Sequence, residues 1–393
     1  MLFVVPEATS PSGGHTYDRR IAAALTDLGL PVRTVTVAGS WPRPDRNSAN
    51  ELSAVLAGAP DGSRVLVDGL VACGVPEAVL PHARRLRLAV LVHLPLADET
   101  GLAPDTARDL DARERAVLRG GVTVVATSEW AARRLAEHHG LTGAAADPGV
   151  AGAAARTEAV RSEADSGVAV VRPGVDPTPT ARGSGFEAVA GAGASGGAVG
   201  AGGTSAAGPP PGGAPTGAGD DAPRLVCVAS LTPRKGHDLL LRALSELRDL
   251  PWTCVCAGPG TPPPHPGLGD RVRFTGPVVG AELARVYDSA DLLVLASRAE
   301  TYGMVVTEAL ARGLPVVATE VGGVPEALGR ASDGRVPGLL VPAEDAVGLE
   351  RALRSWLTDP ALREELRGAA RLRRGELSGW QVAARTMARV LGL

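Results

Sequence analysis

A chain of 393 residues is too long for one ordinary hydrophobic core and sets an expectation of two domains. Apolar residues make up 45% of it, enough for sizeable cores, and a net charge of −3 supplies neither a basic field for nucleic acid nor an acidic tail. The four cysteines (Cys73, Cys227, Cys254, Cys256) are scattered in apolar runs without paired metal spacing, and they read as core packing.

The first 140 residues alternate strand-like and helix-like patterns. LFVV (2–5) reads as a buried strand, and the loop PEATSPSGGHT leads into the helix YDRRIAAALTDLG. Further strands are PVRTVTV (31–37), RVLVDG (64–69), RLAVLVHL (87–94) and VTVVATS (122–128), with amphipathic pieces such as TARDLDARERAVLRG and EWAARRLAEHHG between them. Continuous apolar, β-branched runs alternating with such helices indicate a parallel sheet covered on both faces. Residues 143–167 lose all periodicity and read as a low-complexity insertion, after which VAVVRPGVDPTP (168–179) restores order. Residues 180–222 are Gly, Ala and Pro-rich; such a tract buries too little apolar surface to offset its ordering entropy, so a flexible segment is expected.

The alternation then restarts. RLVCVAS (224–230), TCVCAG (253–258), VRFTG (272–276), DLLVLAS (291–297), LPVVATE (314–320) and GLLV (338–341) read as strands, with helices beginning near 236, 281, 303, 323 and 345. The expected organisation is an N-terminal domain over 1–172, a C-terminal domain over 223–377, and a terminal helix over 378–393. Two α/β domains joined by a linker create a cleft in which ligands bind at the carboxyl ends of strands.

Lys235 is the only lysine among 40 basic residues. Surface lysines exchange easily for arginine, whereas a site needing a compact ammonium on a flexible stem does not, because guanidinium is a wide planar fork. A second candidate site is SRAETYGMVVTEALARGLPVVATEVGGVPEAL (297–328), where a strand ends, a loop holds Glu300, Tyr302 and Gly303, and a helix begins near Met304. Free N–H groups of Gly303, Met304 and Val305 suit an anion such as phosphate, while Glu300 and Glu308 suit sugar hydroxyls, the other reading being that Glu300 only caps the helix and Glu308 is surface charge.

Glu300 and Glu308, separated by seven residues and followed by EALARGLPVVATEVGGVPE, resemble the E-x7-E motif of the family-4 retaining glycosyltransferases. VASLTPRKGHDLLLRAL, CAGPG, VRFTGPVVGAELARVYDSADLLVLAS, VVRPGVDP and the SGG loop are similar to further segments of that family. The resemblance covers about 1–140 and 168–390. It implies an α/β fold of the GT-B type: two Rossmann-like domains facing across a cleft, with the C-terminal helix crossing back to the N-terminal domain. The implied activity is metal-independent transfer of a hexose from a nucleoside diphosphate sugar, with no bound cofactor, to an acceptor that is a small molecule, a glycan or lipid-linked. A GT-B nucleotide-sugar 2-epimerase and a non-catalytic nucleotide-sugar-binding protein are the alternatives.

Carried over residue by residue, Lys235 matches the cation on the donor diphosphate, Glu300 the group facing the donor sugar, and Glu308 the ribose ligand. Tyr302, Gly303, Met304 and Val305 match the backbone under sugar and diphosphate, Gly13 and Gly14 the phosphate-approaching turn, and His93 the cleft histidine. Ser230 stands where the family usually has arginine, so one customary cation is missing, and Arg234 or an arginine of the N-terminal domain is expected to compensate. His15 and Asp68 are weaker candidates, Asp68 reading better as a turn residue. His237 reads as a helix-start residue and the other four histidines as surface. Arg84, Arg85 and Arg87 read as a solvated face, with contact to an anionic or lipid-linked acceptor as the other reading. No charged leader precedes MLFVVP and no apolar run reaches the roughly 18 residues of a spanning helix, so the expected setting is cytoplasmic, with peripheral membrane contact left open.

Overall fold

A computed structural model describes residues 1–8, 12–141, 167–184 and 222–393. Nearly all of the tract read as an insertion (143–167), and 185–221 of the segment read as flexible, lie outside the described residues. Residues 180–184, by contrast, are held against the C-terminal domain. The Ala181 N–H donates to the Arg312 carbonyl at 2.9 Å, the Gly183 N–H donates to the Asp288 carbonyl at 2.9 Å, and Arg182 pairs with the Asp288 carboxylate. Composition alone hid this, because backbone donors and one guanidinium provide the attachment.

Among the described residues, two six-stranded sheets organise the chain, and every strand pairing is parallel. The first contains β1 (Leu2–Pro6), β2 (Arg33–Val37), β3 (Arg64–Asp68), β4 (Arg87–Val92), β5 (Thr123–Ala126) and β6 (Val168–Val170), in the order β2-β1-β3-β4-β5-β6. The second contains β7 (Arg224–Val228), β8 (Thr253–Ala257), β9 (Val272–Gly276), β10 (Leu292–Leu295), β11 (Val316–Thr319) and β12 (Gly338–Val341), in the order β12-β11-β10-β7-β8-β9. In both sheets the order reverses beside the first strand of the domain, as in a doubly wound nucleotide-binding fold. Central strands such as TCVCA and LLVL are buried at every position because helices cover both faces.

Local chemistry sets the helix boundaries. Ser12 accepts the His15 N–H to cap the helix Gly13–Asp27, and Ser128 accepts the Ala131 N–H to cap Glu129–His139, which ends on left-handed Gly140. The four cysteines are buried and unbonded; Cys254 and Cys256 share one side of β8 with sulfurs 4.0 Å apart, in keeping with a packing role.

The terminal helix Trp380–Val390 lies on the N-terminal domain. Trp380, Ala384 and Met387 join Phe3, Tyr17 and Ile21 in one apolar cluster, and the Trp380 and Tyr17 rings meet edge to face at 5.5 Å. Among the described residues the chain therefore crosses between domains twice, and the crossings touch: Val175 and Gly379 form a parallel bridge, and a Cβ on Gly174 would overlap the Trp380 backbone. Among the described residues, no helix is long and apolar enough to cross a membrane.

Candidate active site in the interdomain cleft

In the C-terminal sheet, β7 lies between β10 and β8, so the connections leaving β7 and β10 diverge and open a crevice. Lys235 comes from the loop after β7 and Glu300 from the loop after β10. Gly236 adopts φ +64° after Lys235, and a Cβ there would collide with the Ala296 carbonyl; the lysine turn thus docks directly on the end of β10. The Arg298 N–H donating to the Arg234 carbonyl at 2.7 Å ties the two loops together. On the far side of the Glu300 loop, Gly322 has φ +54°, and a Cβ would overlap the Glu300 carbonyl oxygen, which accepts the Gly323 N–H at 3.1 Å. The VGG segment is therefore a backbone platform under Glu300.

Three donors converge on the Glu300 carboxylate. Lys235 Nζ pairs with Oε1, Ser297 Oγ donates to the same oxygen at 2.8 Å, and Arg234 lies 4.0 Å from Oε2. Glu300 is only 7% exposed, so the pairing satisfies a carboxylate that burial would otherwise penalise. Arg234 also reaches Glu99 of the N-terminal domain at 3.3 Å. Ser230 contributes no charge, leaving Lys235 and Arg234 as the cations beside Glu300 among the described residues.

Helix Met304–Leu310 follows Gly303, which has φ +89°. The N–H groups of Gly303, Met304 and Val305 find no carbonyl partner among the described residues. Glu308, one turn further on, lies apart from the Lys235 group. Its Oε2 accepts the Tyr287 hydroxyl at 2.8 Å, and the Arg312 guanidinium stacks over that tyrosine ring at 4.5 Å. Burial raises the Glu308 carboxyl above its ordinary range, opposed by Tyr287 and Arg312. Tyr302 departs from the others: it lines a separate cavity of about 540 Å³, together with Glu129, Arg172, Glu326, Arg373 and Val382.

The facing wall is built from the carboxyl ends of β1, β3 and β4. Gly14 lies under His93, where a Cβ would meet the imidazole at 3.2 Å, and a Cβ on Gly13 would stand 4.0 Å from the Met304 sulfur across the cleft. His93 Nε2 is 2.8 Å from Asp18 Oδ1 and 3.5 Å from Asp68 Oδ2, and its ring meets Tyr17 edge to face at 5.2 Å. Burial disfavours charge on His93, but the Asp18 carboxylate, its hydrogen bond and Asp68 outweigh it and raise the imidazole to about 9. Burial, with the Asp18 charge next, pushes Asp68 up to about 8 against the opposing effect of His93. Asp68 also accepts the Leu70 N–H at 2.6 Å, so it is a turn residue and a neighbour of His93 at once.

The walls touch at Thr301. Its hydroxyl donates to the His93 carbonyl at 2.6 Å, and its carbonyl accepts from Ser128 Oγ. Sequence reasoning missed Asp18, Thr301, Ser297 and Glu99. Asp18 had a signal, an acidic residue on the inward stripe of an amphipathic helix one turn after Gly14, whereas Thr301 and Glu99 meet their partners only through the domain arrangement. Other expectations fare differently. His139 is buried, not at the surface, because it faces Glu114 inside the domain; His237 starts its helix as expected, with its ring buried 3.6 Å from Cys227 Sγ. Within the basic cluster, Arg85 is spent on Asp61 at 3.0 Å and on the Leu56 and Ala59 carbonyls, and only Arg84 and Arg87 are exposed. His15 is half-buried at the helix start beside Ser12.

Two Rossmann-like domains with charged loops facing across a cleft, and a last helix that returns to the first domain, define the GT-B architecture. Residues 222–359 match the family model described as Glycosyl transferases group 1, so the resemblance to the family-4 glycosyltransferases holds for the domain that carries Lys235 and the E-x7-E motif. A D-inositol 3-phosphate glycosyltransferase of Kineococcus radiotolerans is 39% identical over 186 residues, covering 42% of this chain and 42% of that protein; the matched stretch spans less than half of the relative's length. The whole fold is similar to sucrose-phosphate synthase from Thermosynechococcus elongatus, with TM-score 0.68 and 19% identity over 99% of this chain and 98% of that one. It is also similar to Anabaena Alr3699/HepE in complex with UDP-glucose, with TM-score 0.65 and 15% identity over 100% and 99% of the two chains.

Proposed function

We propose that this chain is a retaining glycosyltransferase that moves a hexose from a nucleoside diphosphate sugar to an acceptor without a metal ion. One observation carries the reading: Lys235 and Arg234 converge on a buried glutamate at the switch point of a doubly wound sheet, where the partner domain supplies His93 from the opposite side. Retaining transfer breaks the bond between the anomeric carbon and a phosphate oxygen, and negative charge grows on the departing diphosphate. Fixed cations at that point stabilise the transition state more than the ground state.

In this reading the diphosphate takes over Lys235 and Arg234 from Glu300. The released carboxylate then accepts hydrogen bonds from sugar hydroxyls, while Glu308 accepts from the ribose. The unpartnered N–H groups at Gly303–Val305 lie beside the diphosphate. His93, carrying its proton, donates toward the sugar from the other wall. The acceptor hydroxyl attacks on the face from which the diphosphate leaves, and its proton passes to the departing phosphate oxygen. The activity named for the Kineococcus relative and the UDP-glucose of the Anabaena complex make UDP-hexoses and inositol phosphates the first donor and acceptor to try.

The test is a thermal-shift screen of nucleotide sugars, followed by assay of the stabilising donor with candidate acceptors and determination of the product's anomeric configuration by NMR. Transfer with retention supports the reading. A 2-epimerised nucleotide sugar formed without acceptor, or donor binding without turnover, would replace it by one of the two alternatives.

A further inference from the structure

On the N-terminal domain, away from the cleft, helices Pro104–Leu118 and Glu129–His139 bring Asp111, His138 and His139 together, with one ligand atom from each lying within 4.8 Å of the others. We propose that these three residues form a binding site for a divalent transition metal of the zinc class. The argument begins with His139, whose side chain is 0% exposed. Its Nε2 is 3.1 Å from Oε2 of Glu114, a carboxylate that is itself 1% exposed. A carboxylate accepts, so Nε2 carries the ring proton, and in the neutral ring Nδ1 presents a lone pair. That Nδ1 is buried and has no hydrogen-bond partner among the described residues. A buried imidazole held by a carboxylate on one nitrogen and open on the other is the arrangement that orients a metal-binding histidine.

The remaining ligands suit the same ion. His138 Nε2 contacts Asp111 Oδ1 while Arg115 holds the other Asp111 oxygen at 3.1 Å, so a metal taking both ligands would replace only the His138–Asp111 hydrogen bond. The His138 and His139 rings stand edge to face with centroids 4.7 Å apart, and a ligand atom of each lies within 4.8 Å of the other and of one on Asp111. His138 is 34% and Asp111 23% exposed, giving an entry path and the freedom to close onto metal bonds of about 2.0–2.2 Å. Two imidazoles and one carboxylate select zinc, cobalt, nickel or copper over magnesium and calcium. Glu114 Oε1 also accepts the Leu96 N–H at 3.3 Å, which connects the site to the loop that carries His93 and Glu99.

The experiment titrates untagged, chelator-stripped protein with Co²⁺, read by visible d–d absorption, and with Zn²⁺, read by thermal shift. One equivalent of saturable Co²⁺ and a Zn²⁺-dependent rise in Tm are expected. His138→Asn and Asp111→Asn, both part-exposed positions checked for folding by circular dichroism, should each weaken binding by about tenfold or more. Asp18→Asn, in the other carboxylate–histidine cluster, should leave it unchanged. The proposal is overturned by no saturable binding, by binding that survives in both His138→Asn and Asp111→Asn, by loss only in Asp18→Asn, or by the intense charge-transfer absorption of cobalt–thiolate bonds.

Discussion

The two walls of the cleft hold their charge in different ways. On the C-terminal wall, Lys235, Arg234 and Glu300 sit on loops whose course is fixed by glycines packed against carbonyl groups. On the N-terminal wall, Asp18, Asp68 and His93 sit at strand ends and on a helix, fixed by side-chain packing around Tyr17. The first wall has a backbone that tolerates no Cβ at Gly236 or Gly322. The second has an ordinary backbone at its charged positions and two groups, His93 and Asp68, that titrate above neutrality. Fixed cations on one wall and proton-sensitive groups on the other are thus built on one architecture by different means.

The largest effect should come from breaking the glycine platform. In Gly322→Ala, a side chain must occupy φ +54° and overlap the Glu300 carbonyl. The left-handed conformation and the overpacking together should cost roughly 2–5 kcal/mol, and urea unfolding of the full chain would measure it. Stability within about 0.5 kcal/mol of wild type would show that the platform yields, and the contrast between the walls would lose its basis.

The next test addresses the titrating wall. The folded pKa of His93 is about 9 against an ordinary 6.5, and that of Asp68 about 8 against 3.8. Both groups bind protons more tightly when folded, so their contribution to stability is present at low pH and is lost as pH rises. Between pH 6.5 and 9 the His93 share of that loss is on the order of 3 kcal/mol. Unfolding free energies measured at the two ends of this window should show the fall, and Asp18→Asn, which removes the charge acting on both neighbours, should flatten it. A wild-type protein with no fall across the window would contradict the cluster's assignment.

This contrast also explains what the sequence disclosed. The strands and helix starts were legible because apolar runs and turn residues encode them locally, and Lys235 stood out as a lone lysine before glycine; the Glu300–Glu308 pair was singled out through its resemblance to a family motif, not through composition. Asp18 shares the inward stripe of its helix with Tyr17, Ile21 and Leu25, but it was not singled out because its partners His93 and Asp68 come from the ends of other strands and meet it only when β1, β3 and β4 converge. His139 likewise looked like half of an exposed HH pair, because Glu114, its buried partner, lies 25 residues away on another helix. The docking of 180–184 was hidden by a composition that matched the tract beyond it. Residues whose role rests on contacts between distant elements leave little trace in a single sequence.

A smaller effect, read in activity, should follow Lys235→Ala. Loss of one charge-assisted contact to the leaving diphosphate costs about 1.5–3 kcal/mol, or roughly 10- to 150-fold in transfer rate. Lys235→Arg should recover part of this, because the charge returns on a fork too wide for the turn before Gly236. With Ser230 uncharged, Arg234 is the only other cation beside Glu300 among the described residues, so Arg234→Ala should have a comparable effect. If both variants transfer sugar at the wild-type rate, the C-terminal wall is not where the leaving group is held.

The smallest expected effect distinguishes Glu308 from the Glu300 group. Tyr287→Phe deletes the hydroxyl that donates to Glu308 Oε2 at 2.8 Å and should cost about 1 kcal/mol of stability. The more specific readout is the pH dependence of UDP binding. Burial already raises the Glu308 carboxyl, and the Tyr287 hydrogen bond holds it down. Without that bond the carboxyl protonates at higher pH, and a protonated carboxyl loses acceptor capacity for a ribose hydroxyl. Affinity for UDP in Tyr287→Phe should therefore weaken at a higher pH than in wild type, while converging with it at alkaline pH. Coincident profiles would mean that Glu308 does not bear on the nucleotide, and its match to the motif would then reflect its packing with Tyr287 and not a contact to the donor.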